Sequence, residues 1–195
     1  EISNYYLSFD CACATLGYIL TEIEDVDINN FFIDKDIINH KTYCIVGDGC
    51  LMEGISQEAI SLAGHLNLNK LIVLWDNNSI SIDGDISIAS SENMQSRFEA
   101  CGWKVIKIDG HNFSQIRKAL KDSNNSTKPV LIDCKTIIAF GSPNKSGSSK
   151  SHGSPLGASE TEATRENLNW PYKPFEIPEN LITEWNNFGG RQHQE

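Results

Sequence analysis

Short apolar runs separated by amphipathic stretches recur along the middle of this chain. The runs at 43–46, 71–75 and 130–134 are nearly continuous, which is typical of strands buried on both faces of a parallel sheet. The run at 103–108 alternates apolar and polar residues, as a strand with one wetter face at a sheet edge does. The pattern therefore predicts four strands.

Helical periodicity fills most of the gaps between these runs. Apolar residues recur every three or four positions over 53–68. The stretches 91–101 and 114–123 are two further predicted helices, the second with Ser114 as its N-cap. Because strands that alternate with helices form right-handed crossover units, the predicted fold class is α/β, a doubly wound and mostly parallel sheet with helices on both faces.

The last third of the chain differs in composition. Residues 141–157 are rich in Ser, Gly, Lys and Pro, which predicts a long loop that is ordered by its own contacts or by a ligand. Short helices are predicted at 160–168 and 181–185, with an extended segment at 171–178 between them. We expect this tail to be a linker towards another domain.

Charge and composition exclude several classes of protein. The 195 residues include 26 acidic and 16 basic ones, for a formal charge of −10, so a nucleic-acid partner is not expected. No apolar run approaches the roughly 18 residues of a membrane span, so no membrane partner is expected either. The six cysteines are scattered without a C-x-x-C pair, which favours a reducing compartment and a cytoplasmic location.

Two polar motifs, Gly47-Asp48-Gly49 and Asn77-Asn78, follow the first two predicted strands. Taken alone, the first is more often a turn and the second is ordinary loop chemistry. However, consecutive strands joined by one crossover lie side by side, so both motifs meet at one edge of the sheet. Asp48 and Asn78 then offer the oxygen ligands that Mg²⁺ or Ca²⁺ prefers, while the glycines allow a phosphate to approach the backbone.

The two motifs and the strings around them resemble the diphosphate-binding half of a transketolase, which is a thiamine diphosphate enzyme. The resemblance runs in order from about Asp36 to Trp185 and covers most of the chain. The strings that carry it are GDGCLMEGISQEA from Gly47, NSISIDG from Asn78, RFEACGW from Arg97, DGH from Asp109, KTII from Lys135 and HGSPLG from His152. Together they are far more specific than the metal motif alone.

This resemblance implies thiamine diphosphate and a divalent metal, Mg²⁺ or Ca²⁺, as cofactors, and it implies roles for individual residues. The implied metal ligands are Asp48, Asn78 and the backbone carbonyl of Ile80. The implied cofactor-binding residues are Gly49 and His152 at the diphosphate, Ile82 and Ile138 at the rings, and Glu53 and Asn78. His152 is also the candidate catalytic residue, while Glu53 and Glu58 match glutamates at the family's dimer interface. His111 matches a family motif without an assigned role.

The resemblance also divides the chain into three parts. Residues 1–35 are a poorly matched segment of the same domain, 36–158 form the thiamine diphosphate- and metal-binding α/β domain, and 159–195 are an extension towards an absent pyrimidine-binding domain. The first part contains none of the substrate-side histidines of the family, and Ser149 stands where a further His is usual. We therefore expect segments to be missing ahead of the metal motif.

The function implied by the resemblance is transfer of a two-carbon ketol unit from a ketose phosphate to an aldose phosphate, in the pentose phosphate pathway. The implied assembly is a homodimer with interfacial active sites, to which the pyrimidine-binding domain supplies an activating glutamate. The 195-residue chain alone is therefore expected to be inactive. Alternatives are a split-subunit or dihydroxyacetone synthase-like enzyme, or a non-catalytic cofactor-binding module.

Overall fold

The computed structural model describes residues 40–190, so the segment 1–35 lies outside the described residues. Four parallel strands form the main sheet, in the spatial order β1-β2-β6-β5, and β3 and β4 form a small hairpin. The strands are β1 (Thr42–Gly47), β2 (Leu71–Asn77), β3 (Ile80–Ser81), β4 (Gly84–Asp85), β5 (Lys104–Asp109) and β6 (Val130–Lys135). The helices are α1 (Gly54–His65), α2 (Met94–Ala100), α3 (Phe113–Asn124), α4 (Ala158–Asn167) and α5 (Glu179–Gly190).

The four predicted strands and their parallel arrangement are confirmed. β1 and β2 pair in register from Thr42 beside Leu71 to Gly47 beside Asp76. The two motifs that follow these strands therefore start next to each other at the carboxyl edge of the sheet. β5 lies at one edge of the main sheet, as its alternating pattern predicts, and β6 separates it from β2.

Helices cover both faces of the sheet, as predicted. On one face, α1 and α2 enclose a cluster in which Phe98 packs edge-on against Trp103, with ring centroids 5.0 Å apart. The Trp103 indole donates a hydrogen bond of 2.8 Å to the carbonyl of Ile60, which ties the start of β5 to α1. On the other face, Ala119 of α3 packs against Val130 and neighbouring sheet residues.

Several predicted boundaries were wrong in detail. α3 begins at Phe113, and its N-cap is Asn112 rather than Ser114: the Asn112 side chain accepts hydrogen bonds from the backbone of Ser114 and Gln115, both at 3.1 Å. Both residue types cap helices well, so the sequence does not separate them. The last helix is longer than predicted, and in residues 40–190 no helix is long and apolar enough to cross a membrane.

Candidate active site

Asp48 follows β1 and is the central polar group of the carboxyl edge. Its side chain is only 8% exposed. Its Oδ1 accepts a hydrogen bond of 3.0 Å from the Trp75 indole, and its Oδ2 accepts one of 2.9 Å from the backbone N–H of Ser79. Because Ser79 directly follows Asn78, the structure brings the two motifs together as the strand order predicts.

The environment of Asp48 disfavours its ionised form. Burial is the largest cause that raises the pKa of this carboxyl above its ordinary value, and the hydrogen bonds from Trp75 and Ser79 act in the opposite direction. The negative charge of Asp76 raises the pKa further, and Lys135 lowers it. Each Asp48 oxygen accepts one hydrogen bond and keeps lone-pair capacity for another partner. A cation at this position would stabilise the ionised carboxylate.

The Asn78 side chain is held in a defined orientation. Its Nδ2 donates to Oδ2 of Asp76 at 3.2 Å, and its Oδ1 accepts the backbone N–H of Ile80 at 2.9 Å. The Thr136 hydroxyl donates to the other oxygen of Asp76 and so holds that carboxylate in place. The amide oxygen of Asn78 therefore points away from Asp76 and keeps a lone pair for a metal.

The neighbouring Asn77 has a different role from Asn78. Its Nδ2 donates to Oδ1 of Asp133 at 2.8 Å, and its Oδ1 accepts from Nζ of Lys135 at 3.3 Å. Both the NH₂ group and the oxygen of this side chain thus form hydrogen bonds with residues of β6. Within the Asn-Asn motif, Asn78 is the candidate ligand and Asn77 supports the turn.

Gly49 offers an open surface beside Asp48. It has a right-handed conformation, φ −62° and ψ −37°, which any L-residue adopts. A Cβ added to Gly49 would meet nothing within 4 Å. Neither backbone strain nor packing within the described residues explains a glycine here, so the free space suits a ligand that approaches the main chain.

The β3–β4 hairpin carries the next two candidate residues. Ile80 pairs with Asp85 across the hairpin, and Ile82 lies at its turn with 71% of its surface exposed. Contact of this much apolar surface with water is unfavourable, and a group that covered Ile82 would remove that cost. Ser79, at the entry, has a left-handed conformation with φ 64°, and in this conformation its N–H reaches Asp48.

His111 was left without a role by the sequence, and the structure gives it one. Its Nε2 accepts a hydrogen bond of 3.0 Å from the backbone N–H of Ile137. The ring stacks on Phe140, with centroids 3.9 Å apart and planes 16° from parallel. His111 therefore fixes the segment after β6, which includes the half-buried Ile138.

The Ser- and Gly-rich loop is ordered by contacts with α4. Glu160 of α4 is buried and accepts hydrogen bonds from the backbone and side chain of Asn144, at 2.7 and 2.9 Å, and from the Ser142 hydroxyl. These bonds lower the pKa of Glu160 to about 2, chiefly through the side chains of Asn144 and Ser142. Glu160 therefore holds the first part of this loop in place against α4.

His152 lies exposed in this loop, directly after a short 3-10 turn at Ser149–Ser151. Among the described residues, no hydrogen bond joins its side chain to Asp48 or Asn78. Its proposed contact with the diphosphate stays a prediction, as do the ring contacts of Ile82 and Ile138.

A Glu160→Gln substitution is expected to loosen the loop at neutral pH. Glu160 now accepts three hydrogen bonds, and the NH₂ group of a glutamine would face at least one of the three donors. Since the pKa of Glu160 is lowered from 4.5 to about 2, its stabilising effect is complete above pH 4.5 and is lost as the pH falls towards 2. Thermal unfolding at a series of pH values should show a deficit at pH 7 that shrinks below pH 4.5. The control is Glu162→Gln, an exposed glutamate on the same helix. An equal deficit at pH 7 and at pH 2.5 would refute the ionised clamp.

A family model for the transketolase thiamine diphosphate binding domain matches residues 22–195, which extends on both sides of the interval from Asp36 to Trp185. The chain belongs to the transketolase family. It is 50% identical over 157 residues to a transketolase of Rhodobacter capsulatus, and 55% identical over 155 residues to a chloroplastic transketolase of Spinacia oleracea. These matches cover 80% and 78% of this chain, but only 23% and 21% of the two relatives.

Solved transketolases have the same fold as this chain. The Campylobacter jejuni enzyme superposes with a TM-score of 0.78 at 42% identity, over 87% of this chain and 26% of that one. A mutant of the Pichia stipitis enzyme in complex with xylulose-5-phosphate gives a TM-score of 0.82 at 32% identity, over 94% and 27%. The chain therefore spans about a quarter of the length of its transketolase relatives.

The oxygen atoms at this edge of the sheet are of the kind that a divalent metal prefers. In the described part of the chain, no three His, Cys, Asp or Glu side chains cluster as a metal cage. A divalent cation at Asp48 would therefore need amide, backbone and ligand oxygens to complete its coordination, which suits Mg²⁺ bound through one or two protein oxygens and phosphate. The oriented amide of Asn78 and the open space at Gly49 meet this requirement.

Glu53 and Glu58 are the two remaining residues singled out by the sequence. Both are exposed, Glu53 directly before α1 and Glu58 within it. Beside them, Met52 and Ile55 are also exposed. Acidic and apolar side chains are therefore exposed together around the start of α1.

Proposed function

We propose that this chain is the diphosphate- and metal-binding part of a transketolase, which transfers a two-carbon ketol unit from a ketose phosphate to an aldose phosphate. The observation that carries the proposal is the joint placement of Asp48 and Asn78 at adjacent strand ends, linked by the hydrogen bond from Ser79 to Asp48. Membership of the transketolase family gives this geometry its chemical meaning.

In the proposed site, the chain binds and orients the cofactor. The carboxylate of Asp48, the amide oxygen of Asn78 and the carbonyl of Ile80 would hold Mg²⁺ or Ca²⁺, and the metal would neutralise the diphosphate. Gly49 and His152 would contact the diphosphate. Thiamine diphosphate, when bound, supplies the nucleophilic carbon for the carbonyl chemistry.

The apolar side of the cofactor would lie against residues of two loops. The exposed Ile82 on the β3–β4 hairpin and the half-buried Ile138 after β6 are the candidates. Covering them with aromatic rings would remove their apolar surface from water, at about 25 cal/mol for each Å² buried. The contact between His111 and Ile137 would keep the second of these loops in place.

Substrates and assembly are inferred from the family. Structures of the Pichia stipitis relative with xylulose-5-phosphate, fructose-6-phosphate and sedoheptulose-7-phosphate support ketose phosphates as donors. A homodimer with active sites at the interface would use the α1 surface with Glu53 and Glu58. A pyrimidine-binding domain beyond this chain would supply the activating glutamate, so the 195 residues alone would not catalyse transfer. Such an enzyme would act in the pentose phosphate pathway, and its expected location is the cytoplasm.

The Gly49→Ala variant tests this function in the protein that carries the chain. Because a Cβ at Gly49 meets nothing within 4 Å and strains no backbone, the variant should unfold at the same temperature as wild type. The Cβ would occupy the space proposed for the diphosphate, so affinity for thiamine diphosphate and ketol transfer should both fall by at least about tenfold, or about 1.4 kcal/mol. The measurements are cofactor titration and a coupled assay with ketose and aldose phosphates.

The possible outcomes separate the alternatives. Wild-type transfer to aldose phosphates supports a transketolase, while transfer to a simple aldehyde alone would indicate a dihydroxyacetone synthase-like enzyme. Cofactor binding without transfer by the protein with all its domains would indicate a non-catalytic module. If Gly49→Ala binds and reacts like wild type, the proposed position of the diphosphate is wrong.

A further inference from the structure

Asp133 is a buried carboxylate that the proposed chemistry does not use. It lies on β6 after the buried residues 130–132 and is 4% exposed. It accepts hydrogen bonds from two neutral amides, Asn77 Nδ2 on Oδ1 at 2.8 Å and Gln95 Nε2 on Oδ2. None of the ion pairs in residues 40–187 includes Asp133. Burying a carboxylate without a cation is costly, so core packing does not explain this residue.

Hydrogen bonds lead from Asp133 to both sides of the candidate metal ligand Asn78. Asn77, directly before Asn78, is bonded through its Nδ2 to Asp133 and through its Oδ1 to Lys135. Lys135 also donates to the Ser79 hydroxyl at 2.7 Å, directly after Asn78. The two neighbours of Asn78 are thus attached to β6 by side chains two positions apart.

The register of the sheet explains why these groups meet. β2 and β6 pair with Trp75 beside Asp133 and Asn77 beside Lys135. Side chains two positions apart on a strand share a face, so all four lie on the α1 and α2 face of the sheet. On this face Trp75 also donates to Asp48, and Gln95 of α2 links Asp133 to Lys107 of β5 at 3.2 Å. Asp133 therefore joins α2 to the turn that carries the metal site.

A carboxylate at position 133 sets the orientation of the two amides that donate to it. A carboxylate only accepts hydrogen bonds, whereas an amide also donates. With Asp133 as acceptor, Asn77 must turn its NH₂ group to Asp133 and its oxygen to Lys135. An amide at position 133 would set an NH₂ group against either Asn77 or Gln95, and one of the two contacts would be lost.

We propose that Asp133 is a positioning residue that fixes the turn from Asn77 to Ile80 and so sets the affinity of the site for its divalent metal. The proposal rests on the proposed function, because it presumes a metal at Asp48 and Asn78. Residues that orient metal ligands without touching the metal change affinity by about 10- to 100-fold when substituted. Asp133 acts in this way through Asn77.

The single variant Asp133→Asn tests the proposal in the protein that carries the chain. With thiamine diphosphate present, the Mg²⁺ dissociation constant from calorimetric titration should rise by about tenfold or more. Turnover at saturating Mg²⁺ should stay close to wild type, because the ligands themselves are intact. Asp122→Asn on α3, across the sheet, is the matched control and should leave the Mg²⁺ affinity unchanged.

A donor–acceptor exchange gives a second and independent test. In the double variant Asn77→Asp with Asp133→Asn, the amide at 133 can accept from Gln95 and donate to the carboxylate at 77, whose second oxygen still accepts from Lys135. The double variant should recover Mg²⁺ affinity to within about threefold of wild type, or about 0.65 kcal/mol. Asn77→Asp alone sets two carboxylates against each other. This single variant should bind Mg²⁺ more weakly than both the wild type and the double variant.

The results distinguish three cases. Weak binding by the single variants with recovery in the double variant supports the proposal. Wild-type Mg²⁺ affinity in a folded Asp133→Asn protein, or a double variant no better than Asn77→Asp alone, overturns it while the proposed function stands. If Asp133→Asn does not fold, the comparison of the double variant with Asn77→Asp decides: stronger Mg²⁺ binding by the double variant supports the proposal, and equal or weaker binding overturns it. No binding of Mg²⁺ and cofactor by folded wild type would instead reject the proposed function.

Discussion

Replacement of Asp48 by Ala is expected to weaken Mg²⁺ binding in the presence of thiamine diphosphate by more than about a hundredfold. Removing a residue that only orients a ligand costs about 10- to 100-fold, and Asp48 is the proposed carboxylate ligand itself. The variant leaves the Trp75 indole without its acceptor, so the free energy of unfolding without ligands should fall by about 1–3 kcal/mol. The protein should remain folded.

The measurement is thermal unfolding with and without Mg²⁺ and cofactor. At a hundredfold excess over the dissociation constant, a ligand stabilises the wild-type protein by about 2.7 kcal/mol, and the variant should gain almost nothing. Asp83→Ala, at the exposed turn of the β3–β4 hairpin, is a matched control that should behave as wild type. Equal stabilisation of Asp48→Ala and wild type would mean that the metal lies elsewhere.

The largest effect on stability is expected from Gly64→Ala at the end of α1. A Cβ at Gly64 would lie 1.7 Å from the carbonyl oxygen of Cys101 and 3.3 Å from the Trp103 ring. Because the nearest atom belongs to the backbone, no rotamer change relieves the clash, and α1 has to move from the turn before β5. We expect a loss of at least about 3 kcal/mol, at the upper end for overpacking.

The matched control is Gly54→Ala at the first residue of the same helix. A Cβ there meets nothing within 4 Å, so the free energy of unfolding should stay constant or rise by up to about 1 kcal/mol. Urea unfolding of both variants measures the two changes. If Gly64→Ala is as stable as Gly54→Ala, the close packing of α1 against Cys101 is wrong.

The sheet could be predicted from the sequence because strands buried on both faces are nearly continuous apolar runs. The apolar runs of β2 and β6 mark strands whose residues are buried on both faces, with Asp133 as the polar exception. The prediction that the run at 43–46 is also buried on both faces was wrong for the described residues, because β1 lies at an edge of the main sheet and exposes Tyr43 and Ile45. The alternation of β5 matches its place at the other edge. The convergence of Asp48 with the turn at Asn78 follows from the same feature, since adjacent parallel strands end side by side.

The contacts that hold the site could not be predicted, because they join residues far apart in sequence. Asp133 reads as a polar interruption of a strand, and only the register of β6 with β2 shows that it meets Asn77. Glu160 reads as one of many surface glutamates, and its burial depends on how the loop from Ser142 returns to α4. The stacking of His111 on Phe140 likewise depends on the path of two loops.

The assignment of Asp48 and its neighbours as a metal-dependent cofactor site is most directly tested by calorimetric titration of thiamine diphosphate into the protein that carries this chain. We predict saturable binding with Mg²⁺ present, and its loss both after chelation of the metal and in Asp48→Ala. Cofactor binding that is unchanged by chelation and by Asp48→Ala, or no binding at all by the folded protein, would contradict the assignment.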